Sequence, residues 1–237
     1  MQCLTPKKLT TTPLSKKEGM WAGILIWVLL CINYAPFATA EQAGTERIAA
    51  AFSGLLNMRG QFEQQRLLVD IPQPIVSRGV FIYRRNRGLY WETNEPFFNA
   101  STFTPEGILH WQERGVAARS NLKNPRVEQA VSRVLLSVFS ADLARIKEQF
   151  SVSVKPFAAS GWSLTLKPSS VAVKQAIDTI TLVGHKTIHT ISIASASGDK
   201  TRITLTNTDS TTPLSAQECG FFSVTEPRNR QGEDVCR

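Results

Sequence analysis

From residue 60 to residue 112 the apolar side chains recur at every second position, and turn residues cut the run short at Pro72, Pro74, Asn86, Gly88, Pro105 and Gly107. A period of two sends successive side chains to opposite faces of a strand. Turn residues this closely spaced leave room for hairpins and for little else. The segment therefore predicts an antiparallel meander with strands near 60–69, 77–84, 88–93, 100–104 and 108–112. The alternation returns near 150–154, 162–166, 177–183, 187–194 and 202–207. An open flat sheet of about ten strands is rare, so this one must curl.

Two stretches depart from that period. Between Thr45 and Met58, the residues Ile48, Ala51, Phe52, Leu55 and Leu56 recur at three and four, as on one face of an amphipathic helix. Between 121 and 150, Asn124 suits a cap, Pro125 a first turn, and Val127, Ala130, Val131, Val134, Leu135 and Val138 form a helical stripe. Ser140 is placed to cap a second short helix carrying Leu143, Ile146 and Phe150. Strands, helices and strands around one core make an α+β protein. The last residues, rich in Thr, Pro, Asn and Arg, fit neither period and are set apart as a tail, 211–237.

The N-terminus reads as an export signal. Lys16 and Lys17 precede an apolar run, Trp21 to Ile32, which ends near the small-residue site Ala38-Thr39-Ala40. That run is short of the roughly 18–20 apolar residues that a membrane-spanning helix needs. Cleavage after Ala40 is expected, leaving a periplasmic chain with one domain over 41–210. Leu30 before Cys31 lacks the small side chain that a lipidation site wants. Outside the signal stand Cys219 and Cys236, which in an oxidising compartment form a disulfide or remain as two thiols. The chain carries a net charge of +8 at pH 7. In an exported protein that favours anionic lipid or protein over nucleic acid.

Catalytic vocabulary is sparse. The nucleophile motif G-x-S-x-G and a Gly-rich phosphate loop are both missing from the sequence. His185 and His189 are four apart, but on a continuous strand that spacing spans about 13 Å, too far to share a metal ion unless the chain turns between them. His110 beside Trp111 reads as structural, Glu92 and Glu95 as a potential carboxylate pair of which Glu92 fits a solvated edge charge better, and Ser197-Gly198-Asp199 as a hairpin turn.

The stretch SRGVFIYRRNRGLYWETNEPF, Ser77 to Phe97, holds the most informative pattern. If the turn keeps register, Arg85 shares a face with Phe81, Tyr83, Leu89 and Trp91, while Arg84 points the other way and Arg87 sits in the turn. Such a face is apolar with one charge at its mouth. It describes a packed core with Arg85 at the edge and a cavity for an acyl chain equally well.

Several short motifs in order resemble the LolA-like outer-membrane lipoprotein carriers. They are Phe62-x-Gln64, Ser77-x-Gly79-x-Phe81, the hairpin Gly88-Leu89-Tyr90-Trp91-Glu92-x-x-x-Pro96, and Trp162-x-Leu164-x-Leu166-x-Pro168. The resemblance implies an incomplete antiparallel barrel closed by a lid of short helices, with neither enzyme activity nor a cofactor. It implies a monomeric periplasmic chaperone that takes acylated lipid or lipoprotein cargo from an inner-membrane exporter to an outer-membrane acceptor. A regulatory module that senses lipid or lipoprotein on the same fold is the alternative. On this reading Phe62, Phe81, Tyr83, Leu89 and Trp91 line the lipid site, Leu135, Val138 and Phe139 cover it, and Arg85 controls the lid. Lipoprotein carriers have Arg-Pro where this chain has Arg85-Asn86. In lacking the proline it is similar to a branch associated with other acylated products, such as glycolipids or polyene lipids.

Overall fold

In the computed structural model, which describes residues 40–112, 117–119, 125–140, 142–157 and 161–222, two runs of hairpins flank a pair of helices. The first run comprises α1 (Ala40–Ser53), β1 (Asn57–Leu67), β2 (Ile75–Arg84), β3 (Gly88–Glu95), β4 (Asn99–Thr104), β5 (Gly107–Trp111) and β6 (Ala117–Arg119). The helices α2 (Pro125–Ser140) and α3 (Leu143–Gln149) follow. The second run is β7 (Phe150–Phe157), β8 (Gly161–Pro168), α4 (Val171–Lys174), β9 (Ile177–Gly184), β10 (Ile188–Ser195), β11 (Lys200–Asp209) and α5 (Ala216–Gly220). All eleven strands form one antiparallel sheet in the order β6-β5-β4-β3-β2-β1-β11-β10-β9-β8-β7. The last strand thus returns beside the first and joins the two runs at the middle. β6 and β7 remain as edges, so the curled sheet does not close.

The expected α+β meander is present, with local corrections. The first helix stops at Ser53, and Met58 lies fully buried in β1 rather than on a helix. Leu55 is buried and Leu56 is 57% exposed, so the two leave the helical face on which their spacing placed them. Ser140 does not cap the next helix. It ends α2 and donates to the Ser137 carbonyl at 3.2 Å, while the Asp142 carboxylate caps α3 by accepting from the Arg145 N–H at 3.2 Å. Phe150 both caps the end of α3, its N–H donating to the Ile146 carbonyl, and opens β7. The short β6 and α4 escaped the alternation because neither is long enough to show a period.

Alternation decides what each face buries. On the concave face Phe81 and Tyr83 of β2, Trp162, Leu164 and Leu166 of β8, and Ile180 and Leu182 of β9 join one core. Helix α1 adds Ile48 and Phe52 over β7 and β8, and α2 and α3 add Val138, Phe139 and Ile146. The convex face carries a second cluster of Ile82, Tyr90 and Ala100, packed by Trp111, Leu214, Phe221 and Phe222. Phe221 stacks on Tyr90 with centroids 4.0 Å apart, and its carbonyl accepts from the Thr102 hydroxyl at 2.8 Å. Arg59 holds the approach to this segment, donating to Glu218 at 2.7 Å and to the carbonyls of Thr212 and Pro213 at 2.8 and 2.7 Å. Residues 211–222, set apart above as a tail, thus lie against the sheet. Within α5 Cys219 is buried and disulfide-bonded; Cys236 lies outside the described residues.

Gly79 marks the tightest approach in the sheet. A Cβ there would lie 1.8 Å from the Glu92 carbonyl oxygen and 2.9 Å from the Phe62 ring. Backbone cannot yield as a side-chain tip can, so Gly79→Ala should destabilise the fold by about 2 kcal/mol or more. Gly54→Ala, with nothing within 4 Å of the new carbon, is the matched control. Urea midpoints of the two variants check this, and equal midpoints would refute it.

Candidate functional site

The concave end of β1, β2 and β3 is an aromatic floor. Phe62 stacks on Trp91 at 3.9 Å, and Trp91 faces Phe81 at 6.1 Å. This follows from register, because Phe81 pairs with Trp91 and Tyr83 with Leu89 directly across the β2–β3 ladder. From above, Phe139 of α2 meets Phe81 at 5.8 Å, Tyr83 at 6.1 Å and Trp91 at 6.4 Å. Helix α2 lies against β3, β4 and β5. The residues expected to line and cover a lipid site, Phe62, Phe81, Tyr83, Leu89, Trp91, Val138 and Phe139, therefore do meet. They meet as a packed cluster, with Phe139 seated among the rings. Leu135 is half-buried and stands outside that cluster, where Leu136 packs instead. The rest of the expected stripe, Val127, Ala130, Val131 and Val134, has side chains outside the described ones.

Open space lies at the mouth, beside this cluster. A cleft of about 980 Å³ runs between the β2–β3 hairpin tip and the end of α2, and reaches Phe52, Tyr83, Val138, Leu143 and Phe150. Its rim is basic, with Arg84, Arg85, Arg87, Arg133 and Arg145 against Asp142 and Glu148. Burial pushes the Tyr83 phenol up, and the Arg85 charge and a hydrogen bond with Ser140 pull it part of the way back. Tyr83 is thus a neutral hydroxyl at the junction of floor, hairpin and α2.

Arg85 keeps the predicted face and bonds main chain beside the mouth. Its guanidinium donates to the carbonyl of Phe52, and its backbone N–H donates to the Leu56 carbonyl at 2.8 Å. Both acceptors belong to the end of α1 and the turn after it, and Arg85 also hydrogen-bonds the Tyr83 phenol, which in turn bonds Ser140 at the end of α2. Phe52 was legible as a core residue of the first helix. That its carbonyl would face the hairpin was not, since main-chain direction leaves no mark on side-chain spacing.

The remaining candidates disperse. Glu92 accepts from the Tyr90 hydroxyl and Glu95 pairs with Arg78 at 3.2 Å, so the two carboxylates serve different partners. His110 shares a 3.0 Å hydrogen bond with Ser101. The chain does turn between His185 and His189, because β9 ends at Gly184 and β10 starts at Ile188. Among the described residues no group of three or more His, Cys, Asp or Glu is placed to hold a metal. Among them, too, no helix is long and apolar enough to cross a membrane.

A family profile described as "Outer membrane lipoprotein carrier protein LolA" matches residues 53–221, from the end of α1 to the Phe221 that packs the convex face. The chain belongs to the LolA family. Its fold, a curled antiparallel sheet left open and covered by helices, is that of a LolA-like protein. Among solved structures, it is similar to a LolA superfamily protein from Nitrosomonas europaea at 11% identity and a TM-score of 0.43, over 78% of this chain and 98% of that one. It is similar to the MucA/MucB complex of Pseudomonas aeruginosa at 12% and 0.43, over 74% of this chain and 59% of that one. The Mycobacterium tuberculosis lipoprotein LppX stands at 13% and 0.39, over 73% of this chain and 97% of that one. No curated protein matches the chain.

Within the LolA frame the residue after Arg85 has a backbone reason to differ. Asn86 adopts φ of 60°, in the left-handed region that asparagine tolerates and that proline, locked near −65°, cannot enter. An Arg-Pro pair would need another turn. Asn86→Pro should therefore destabilise the protein by more than about 1 kcal/mol, and Asn86→Gly should be neutral or slightly stabilising. Chemical denaturation of both variants gives the comparison; a proline variant as stable as the parent would mean the turn takes another form.

Proposed function

We propose that this protein is a periplasmic carrier that takes the acyl chains of a lipoprotein or another acylated lipid against its concave face and ferries the cargo from an inner-membrane exporter to an outer-membrane acceptor. The observation that carries the reading is the concave aromatic floor of a LolA-family sheet, covered by α2 rather than by another strand and bordered by an open cleft. The cleft is at the upper end of the roughly 300–1,000 Å³ usual for small-ligand sites. Cargo enters beside Tyr83 and Leu143, and its chain takes the place that Val138 and Phe139 fill. The chemistry is binding alone, with no cofactor. Cleavage after Ala40 fits this reading, because it would leave α1 short of a single residue. A Cys219–Cys236 bond would pin the chain end near the convex face.

Native mass spectrometry of the protein from its own periplasm, without detergent, tests these points together. The expected result is a chain starting at Glu41, with the mass deficit of a closed disulfide and a bound acylated lipid. A lipid-free protein that also fails to bind an acyl probe would overturn the carrier. Trp91, half-buried at the edge of the floor, allows a sharper test. Trp91→Glu sets an unpaired carboxylate against the acyl path and should abolish probe binding while circular dichroism stays that of the parent.

Arg85 supplies the control of release. A hydrogen bond from a charged donor contributes roughly 1.5–3 kcal/mol, enough to shift a closed-open equilibrium about ten- to a hundredfold. Its guanidinium ties the end of α1 to the Tyr83 phenol, which also bonds Ser140 of α2; this favours the closed state, and so favours expulsion of cargo. Arg85→Leu should load lipid normally and pass it to acceptor vesicles at least tenfold more slowly, roughly the lower bound of that shift. Arg87→Leu, at the exposed hairpin tip, should release at the parental rate. Equal release from both would move lid control elsewhere.

A further inference from the structure

Nine large apolar side chains are exposed among the described residues, and seven of them lie at one end of the sheet. Leu67, Val69, Ile71 and Ile75 flank the β1–β2 turn, Phe97 and Phe98 form the β3–β4 turn, and Val171 opens α4. Phe97 is 81% exposed, Val171 73% and Val69 66%. These turns adjoin one another. Arg78 at the start of β2 pairs with Glu95 at the end of β3. Leu67 pairs with Lys200, and the Val69 N–H donates to Asp199 at 3.1 Å, which brings the β10–β11 turn alongside. The Ala196 N–H donates to the Ala176 carbonyl at 3.2 Å, which adds the segment after α4. The rim lies at the end of these strands away from the Arg85 hairpin.

We propose that this rim docks the protein on an anionic lipid surface. The apolar side chains project singly from separate turns, an arrangement suited to a fluid layer into which each can sink. Beside Val171 a depression is lined by Lys167, Lys174 and Lys200, with Asp178 as its carboxylate. Of the other rim carboxylates, Asp199 accepts from Val69 and the Ser197 hydroxyl, and Glu95 is paired with Arg78; Asp70 is exposed on the β1–β2 turn. Apolar tips with flanking lysines are what the interface of a bilayer accepts: the tips enter the acyl boundary and the ammonium groups meet lipid phosphates. The lysines give the surface its sign, and the apolar tips give it depth. This docking stands whether or not the mouth cleft takes an acyl chain.

Flotation of the protein as recovered from the periplasm, with vesicles of phosphatidylcholine with and without phosphatidylglycerol, tests the proposal, every variant being recovered in the same way. The parent should float with the anionic vesicles and only weakly with the neutral ones. Val69→Ser with Phe97→Ser should lower partitioning by about tenfold or more, because two apolar anchors are lost. Lys167→Gln, Lys174→Gln and Lys200→Gln together should bring binding to anionic vesicles down to the neutral level. Leu56→Ser with Phe157→Ser, also exposed but outside the rim, should leave it within about twofold, as expected of surface changes away from the contact. Undiminished floating of the Val69/Phe97 variant, or equal binding to both vesicle types, overturns the proposal. So does a variant that floats like the parent yet fails to reach a protein acceptor, since the rim would then be a protein-docking surface.

Discussion

A curled sheet that does not close has an apolar concave face with no strand opposite it, and the rest of this structure depends on how that face is kept from water. Eleven strands supply the floor, and their two edges, β6 and β7, stay apart. Helices are inserted between those edges in the chain, at the one place where adding them interrupts no hairpin. Phe139 is the point of contact: its ring touches Phe81, Tyr83 and Trp91 from three separate strand positions. A cover built this way is held by non-directional burial rather than by a hydrogen-bond ladder. Lifting it would break no strand pairing.

The β2–β3 ribbon is where the demands of both faces coincide. Phe81, Tyr83 and Leu89 face the helices, while Ile82 and Tyr90 face the C-terminal segment. Residues 80–83, Val-Phe-Ile-Tyr, therefore read as a nearly continuous apolar run and not as a clean alternation. Phe221 stacked on Tyr90 explains it: the convex side is covered by chain from the other end of the protein. Gly88 belongs to the same account, since a Cβ there would lie 2.4 Å from the Phe103 carbonyl and 3.3 Å from the Phe222 ring.

How much of this could be read in the sequence varies with the range of the interaction. Hairpins announce themselves through alternation and turn residues, and the shared face of Phe81, Tyr83, Leu89 and Trp91 followed from counting across the turn. The floor residues were legible for that reason. Leu135 was misplaced because the α2 stripe is wide enough to admit Leu135 or Leu136, and only the direction from which the helix meets β3, β4 and β5 selects the latter. The C-terminal segment is held by long-range polar contacts to Arg59, which have no period. Yet Ser215 followed by Glu218 is a capping box, with the Glu218 carboxylate accepting from the Ser215 N–H at 2.7 Å, and that signal for α5 was open to reading. The partner of Arg85 was not, for a carbonyl is common to every residue.

The packed cluster also bears on what cargo the proposed carrier can take. Displacing the cover exposes chiefly Leu136, Val138 and Phe139, at about 1.5–3 kcal/mol each, or roughly 5–9 kcal/mol together. An acyl chain recovers about 0.8 kcal/mol per methylene buried, so on the order of eight methylenes offset the loss. Shorter chains cannot hold the cover open. Much longer ones would be bound too tightly to leave unless only part of their length enters. Because the two terms nearly cancel, a contact of a few kcal/mol can decide the direction of exchange, and the bond from Arg85 to the Phe52 carbonyl is of that size. On the proposed reading the carrier would need no energy source of its own: its cover and its cargo would compete for the same floor, and a modest polar contact at the mouth would tip the competition towards release.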